Sequence, residues 1–201
     1  MQLHGGGAYN PSSEGGSPDA HAACKEAALT LTLHALRHAK SSWDLADQDD
    51  HDRVLNGRGR KAAHALGRFL SREGPAPDLV LCSSAARARE TWNRLGSRLE
   101  RPGVAREVRF ERRLYLAGAA EMLEQIRACE TEPCLLLVAH NPGIQELACR
   151  LAGSGDEGAW QRLRGKYPTG GLATVVFDLD RWCDVVPAAG RLLRFVVPRE
   201  L

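Results

Sequence analysis

The chain has 201 residues, 43% of them apolar and 26% charged, which suffices for one globular domain with a core of its own. Its net charge is only +2, and its basic residues are scattered, so Arg58-Gly59-Arg60-Lys61 and the arginines of residues 109–113 read as solvated faces rather than a nucleic-acid footprint. No apolar run approaches the roughly 20 residues that span a bilayer, and no cationic start leads into an apolar core, so no membrane contact and a cytoplasmic location are expected.

The six cysteines, Cys24, Cys82, Cys129, Cys134, Cys149 and Cys183, form no C-x-x-C pair and no zinc-type spacing with histidine. They read as reduced, mostly buried thiols. Residues 1–28 are rich in Gly, Ser and Pro, cannot bury enough apolar surface to offset ordering, and are expected to form a flexible tail. The folded domain is expected over 29–201.

Residues 29–36 alternate Leu and Thr and predict a first strand that runs out into Arg37-His38-Ala39-Lys40-Ser41. A polar loop over 42–56 follows. Residues 57–72 carry Ala62, Ala63, Leu66, Phe69 and Leu70 at helical spacing, and Gly74-Pro75-Ala76-Pro77 stops that helix. Residues 78–82 form a short continuous apolar run, as in a strand buried on both faces, and lead through Ser83-Ser84 into a helix over 85–99. Ser83 or Ser84 is expected to cap it. Pro102-Gly103 ends that unit. A short strand is expected at 108–110 and a helix at 119–128.

Residues 133–139 are the strongest strand signal in the chain and end in His140-Asn141-Pro142-Gly143. Asn141 is expected as N-cap and Pro142 as the first residue of a helix over 142–151. A helix at 157–163 and strands at 172–179 and 192–197 complete the pattern. Alternating strands and helices predict an α/β fold, a three-layer α/β/α sandwich with a mainly parallel central sheet. The last two strands lack a helix between them, so an antiparallel edge is expected.

Three of these strands end in chemically loaded turns: Arg37-His38, Ser83 to Arg87, and His140-Asn141. In a parallel sheet these ends lie on one side, where open α/β folds bind ligands. Each residue alone has a structural explanation, a surface arginine or a core histidine. Their joint placement favours a site. Guanidinium forks and helix N-termini suit phosphate oxygens, and a neutral histidine can attack phosphorus.

The motifs around these residues resemble those of the histidine phosphatase superfamily, with its phosphoglycerate mutase-like fold. Leu36-Arg37-His38-Ala39-Lys40-Ser41 is similar to its Arg-His-Gly signature, with Ala39 where the family usually has Gly. Ser83 to Thr91 resembles its second arginine motif, and Val138-Ala139-His140-Asn141-Pro142 its second-histidine motif. Asp52 to Gly59 and Tyr167-Pro168-Thr169-Gly170-Gly171 resemble the small SixA-type phosphohistidine phosphatase branch. The resemblance implies a nucleophile at His38, phosphoryl contacts from Arg37, Arg87 and His140, and Asn141 steadying His140. Ser41 and Lys40 lie close enough in sequence to reach a phosphate oxygen, and Arg53 is a candidate for the pocket rim.

For the general acid, Glu121 is the first choice, with Asp44, Asp52 and Glu111 also open. The implied enzyme is a phosphatase working through phosphohistidine, with no cofactor and no metal, on a phosphorylated protein. A small-molecule phosphatase, a mutase and a phosphate-binding module without turnover are the alternatives. A metal hydrolase would need a third ligand beside His34 and His38, and the sequence offers none nearby.

Overall fold

The computed structural model describes residues 30–44, 47–99 and 107–201, so the expected tail over 1–28 and the Pro102-Gly103 stop lie outside the described residues. Seven strands form one sheet in the order β3-β2-β4-β1-β6-β7-β5. They are β1 (Thr30–Arg37), β2 (Leu79–Ser83), β3 (Glu107–Glu111), β4 (Cys134–Ala139), β5 (Ala152–Gly155), β6 (Leu172–Asp178) and β7 (Gly190–Val196). The helices are α1 (Gly57–Glu73), α2 (Ala86–Gly96), α3 (Ala119–Arg127), α4 (Gly143–Leu151) and α5 (Glu157–Gly165).

Side-chain alternation sorts the two faces of the sheet. Leu33 and Ala35 of β1 and Leu135 and Leu137 of β4 pack with Met122, Ile126, Leu147 and Leu163 of α3, α4 and α5. Leu36, Leu136 and Val138 face the other way, onto Leu66 and Leu70 of α1 and Trp92 and Leu95 of α2. Helices therefore cover both faces, and the mainly parallel α/β/α sandwich is the observed architecture.

The first and last turns of α1 show why it starts and ends where it does. The Asn56 side chain accepts from the Gly59 amide at 2.9 Å, and Gly74 with the prolines beyond it ends the helix. Gly59 also has a packing reason. A β-carbon there would overlap the carbonyl oxygen of Lys40, so α1 rests directly on the chain leaving β1.

Four features differ from the expectations. The antiparallel pairing is internal, because β6 lies between β1 and β7, and β7 goes on to pair in parallel with β5. The edge strand β5 was not foreseen: Ala-Gly-Ser-Gly has little strand propensity, and the backbone pairing offered by β7 holds it. The cap of α2 is Ala85, with no side-chain cap bond, since Ser83 Oγ meets His140 and the Ala85 amide and Ser84 Oγ meets His51. Likewise Pro142 is the N-cap of α4, and the Asn141 side-chain oxygen makes no cap bond. Among the described residues no helix is long and apolar enough to cross a membrane.

Candidate active site

The strand order brings the loaded turns together. β4 lies between β2 and β1 and runs parallel to both, with Arg37 opposite Ala139 and Cys82 opposite Val138. His140, leaving β4, therefore stands between His38, leaving β1, and the Ser83–Arg87 turn leaving β2. A cleft of about 350 Å³ opens there, lined among others by Arg37, His38, Asp50, Arg53, Arg87 and His140. Lys40, Ser41 and Asn141 also line it. Glu121 does not. Its carboxylate accepts from Gln125 at 3.5 Å, one turn on along α3, because that helix turns Met122, Leu123 and Ile126 into the core instead.

His38 is held in one tautomer. Its Nδ1 lies 2.8 Å from the Ala39 carbonyl, which only accepts, so Nδ1 carries the proton and Nε2 keeps its lone pair. Arg87 Nε donates toward that Nε2 at 3.3 Å. Burial first, then the Arg87 and Arg37 charges, push the His38 pKa down to about 4, despite the Ala39 hydrogen bond, which raises it. The ring is therefore neutral at ordinary pH.

Ala39 fits without strain. It is not among the positive-φ residues, its amide donates to Thr91 Oγ1 at 3.0 Å, and its methyl group packs with Leu55 and Ala63. Thr91 in turn donates to the Arg87 carbonyl at 2.6 Å, tying the exit of β1 to the first turns of α2.

His140 sits 5.0 Å from His38, ring centre to ring centre. Arg87 Nη2 donates toward its Nδ1 at 3.4 Å, so the proton is on Nε2, which lies 2.7 Å from Ser83 Oγ. Burial, then His38 and Arg87, lower its pKa to about 3. Arg37 donates from Nη1 to the Tyr167 carbonyl at 2.7 Å, while its buried Nε has no partner. Burial and the Arg87 charge lower the Arg37 pKa, and the group remains a cation. Asn141 donates to Gln145 at 3.2 Å and to the Tyr167 carbonyl at 3.3 Å. The Tyr167–Gly171 turn thus orients two cleft residues. Gly170, at φ +76°, allows its amide to donate to the Arg37 and His38 carbonyls, both at 3.1 Å.

The residue that sequence reasoning missed is Asp50. Its carboxylate accepts from Arg87 Nη2 at 2.8 Å, Tyr115 at 2.8 Å and Arg53 Nη1 at 2.9 Å, and its carbonyl accepts from Arg87 Nη1. It is the one acidic side chain among the described residues lining the cleft. Partial burial opposes its ionisation, but the bonds from Tyr115 and Arg87 and the charges of Arg87 and Arg53 outweigh this and lower its pKa. The available signal was its place three residues before Arg53, which invites an ion pair across one turn. Of the acids considered, Asp44 takes the Ser42 hydroxyl and Asp52 faces His51.

Arg53 is only 5% exposed and spans Ser42, Asp50 and Ser41 Oγ, with its guanidinium under the Trp43 ring. Trp43, 78% exposed, and Leu116, 57% exposed, stand at the mouth. Among the described residues no group of three or more His, Cys, Asp or Glu side chains is placed to hold a metal ion.

Comparison with known proteins decides the family. Residues 33–115 match the profile of the histidine phosphatase superfamily (branch 1). An uncharacterized protein of Mycobacterium leprae is 39% identical over 169 residues, covering 82% of this chain and all of the relative. A solved candidate phosphohistidine phosphatase SixA from Nakamurella multipartitia superposes with a TM-score of 0.72 at 30% identity, covering 84% of this chain and 96% of that one. The chain belongs to the histidine phosphatase superfamily. Its fold is that of the SixA-type members. A candidate SixA from Agrobacterium tumefaciens is similar too, with a TM-score of 0.68 at 27% identity over 84% of this chain and 98% of that one.

Proposed function

We propose that this phosphatase removes the phosphoryl group from phosphohistidine carried on a protein, through a covalent intermediate at His38 and without a metal ion. The observation that carries the reading is the unprotonated Nε2 of His38, beside the Arg87 fork and in the same cleft as Arg37. A phosphoryl group entering the cleft offers its oxygens to Arg87 and Arg37, whose guanidinium groups line it. His38 Nε2 attacks phosphorus as the bond to the leaving nitrogen breaks. A substrate ring protonated on its far nitrogen departs as neutral imidazole, so the step needs no strong acid in the site.

The phosphorylated His38 ring is cationic, with its Nδ1 proton held by the Ala39 carbonyl. Water then attacks phosphorus, the P–Nε2 bond breaks, and its electron pair returns to His38. The proton released by water passes to the Asp50 carboxylate and on to solvent. His140, fixed by Ser83, bears on the transferred oxygens, and bound dianion raises its low pKa toward the value at which it can hold a second proton.

A protein substrate is supported by the shape of the entrance. Among the described residues, the segment between Arg87 and His140 forms α2, β3, α3 and β4, without an insert over the cleft. Trp43 and Leu116 offer an apolar lip to a surface rather than an enclosed pocket for a sugar. Free thiols at Cys82, Cys129 and Cys134 suit a reducing cytoplasm.

The test is a side-by-side assay, without added metal, of a phosphohistidine protein, phosphoserine, phosphotyrosine and sugar phosphates. The expected kcat/KM for phosphohistidine protein is at least about tenfold above the others. Preference for a sugar phosphate or phosphoserine would overturn the substrate assignment.

A further inference from the structure

A second groove, of about 810 Å³, runs beside the catalytic cleft and shares Lys40 and Thr169 with it. Its floor is apolar, with Ala62 and Ala65 of α1 on one side and Phe195, Val197 and Pro198 on the other. Its rim is cationic. Arg58, Lys61, Arg68, Arg162, Lys166 and Arg199 line it, all exposed. None of these six is in an ion pair among the described residues. Glu200 is the one acidic side chain along it, and its carboxylate is turned to the Val197 amide at 3.4 Å.

In a chain of net charge +2, this is a strong local segregation of charge. An ordinary solvated face intersperses both signs. Nor does the groove have the form of a small-anion site, because its cations are spread along an exposed rim and do not converge on one buried point. An apolar floor between cationic banks is instead the complement of an amphipathic helix with an acidic polar face. Such a helix, about 10 Å across, lays apolar residues at i, i+3, i+4 and i+7 into a groove. Its carboxylates would then meet the rim, which gives specificity and speeds encounter.

We propose that this groove docks an acidic amphipathic helix of the protein that carries the phosphoryl group, so that the adjoining cleft meets its phosphohistidine. The inference rests on the phosphoprotein reading above and names the substrate feature that the enzyme selects. Lys40, at the join, belongs to both sites, so a docked helix runs up to the exit of β1.

The experiment uses three peptides, each with one phosphohistidine beside an amphipathic helix whose polar face is Glu, Gln or Lys, and a generic aryl phosphate as reference. The Glu peptide should exceed the Gln peptide in kcat/KM by about tenfold and the Lys peptide by more, with the advantage shrinking as salt rises. In Arg68→Glu/Arg199→Glu the ratio of Glu-peptide to aryl-phosphate kcat/KM should fall about tenfold, and in Arg68→Gln/Arg199→Gln by less. Equal turnover of the three peptides by the wild type overturns the docking site and leaves the phosphohistidine reading standing.

Turnover of aryl phosphate but of no phosphohistidine peptide means that the substrate reading itself has failed. The unphosphorylated Glu peptide then decides the groove: inhibition of aryl phosphate turnover that is lost in the Arg68/Arg199 variants supports docking, and no inhibition overturns it. Inhibition by tripolyphosphate that is tighter than by the Glu peptide, and equally dependent on Arg68 and Arg199, makes the groove a small-anion site and overturns the proposal.

Discussion

Asp50 grips Arg87 twice: its carboxylate accepts from Nη2 at 2.8 Å and its backbone carbonyl accepts from Nη1. The same guanidinium presents Nε to His38 at 3.3 Å, so Asp50 fixes the plane of the fork that faces the proposed nucleophile. The carboxylate also takes Tyr115 and Arg53, which joins three segments of chain around one oxygen pair.

Asp50→Asn keeps the size of the side chain and removes its charge. Arg87 then loses its ion pair and its fixed plane. We expect kcat to fall about 10-fold to 100-fold, since a misplaced group costs on that order. The loss should be similar for aryl phosphate and phosphohistidine substrates, because the positioning of Arg87 serves both. A far larger drop for phosphoserine than for either of these would mean instead that Asp50 serves chiefly to protonate a basic leaving group.

Acid should weaken the fold through buried neutral histidines. His34 is 1% exposed and lies between Thr174 and the Pro75 carbonyl. Burial first, against the Pro75 bond, brings its pKa down to about 4 from 6.5. As pH falls the unfolded chain takes up this proton first, so the contribution is complete above 6.5 and is lost between 6.5 and 4. It is on the order of 3 kcal/mol. His38 and His140 act in the same direction. Urea unfolding at pH 7 and at pH 4.5 should show a smaller loss of stability for His34→Gln than for the wild type. Equal losses would contradict the assignment.

Gly59 couples the first turn of α1 to the loop that carries His38. In Gly59→Ala the new methyl group must displace the Lys40 backbone, two residues beyond His38. A cost of about 1–3 kcal/mol is expected for such overpacking. Thermal unfolding should show a lower midpoint, and kcat should fall with it. Wild-type values for both would show that the contact yields freely.

Much of this was legible in the sequence because it is written in strand ends. The apolar runs before Arg37, Ser83 and His140 announce buried parallel strands, and parallel strands must share a carboxyl edge. What escaped was set by pairing and by loops. β5 exists because β7 has a free edge to offer, and Ala-Gly-Ser-Gly carries no side-chain pattern to reveal it. Asp50 hid among Asp47, Asp49 and Asp52 in a loop without periodicity, and only the folded loop shows which carboxylate reaches Arg87. Glu121 stands at a helix start, a place that says nothing about which way the helix faces. Asn141 has the residue type of an N-cap, but its Nδ2 donates to Gln145 and to the Tyr167 carbonyl, and that orientation leaves Oδ1, the atom a cap would use, without a partner.

The central claim is that phosphorus passes through Nε2 of His38. Rapid acid-free quenching during turnover of a generic aryl phosphate, followed by peptide mapping, tests it directly. The account predicts a phosphoryl adduct on His38 that is labile to acid and stable to base, and its absence, with loss of turnover, in His38→Ala. Full turnover in His38→Ala, or an adduct on another residue in the wild type, would contradict it.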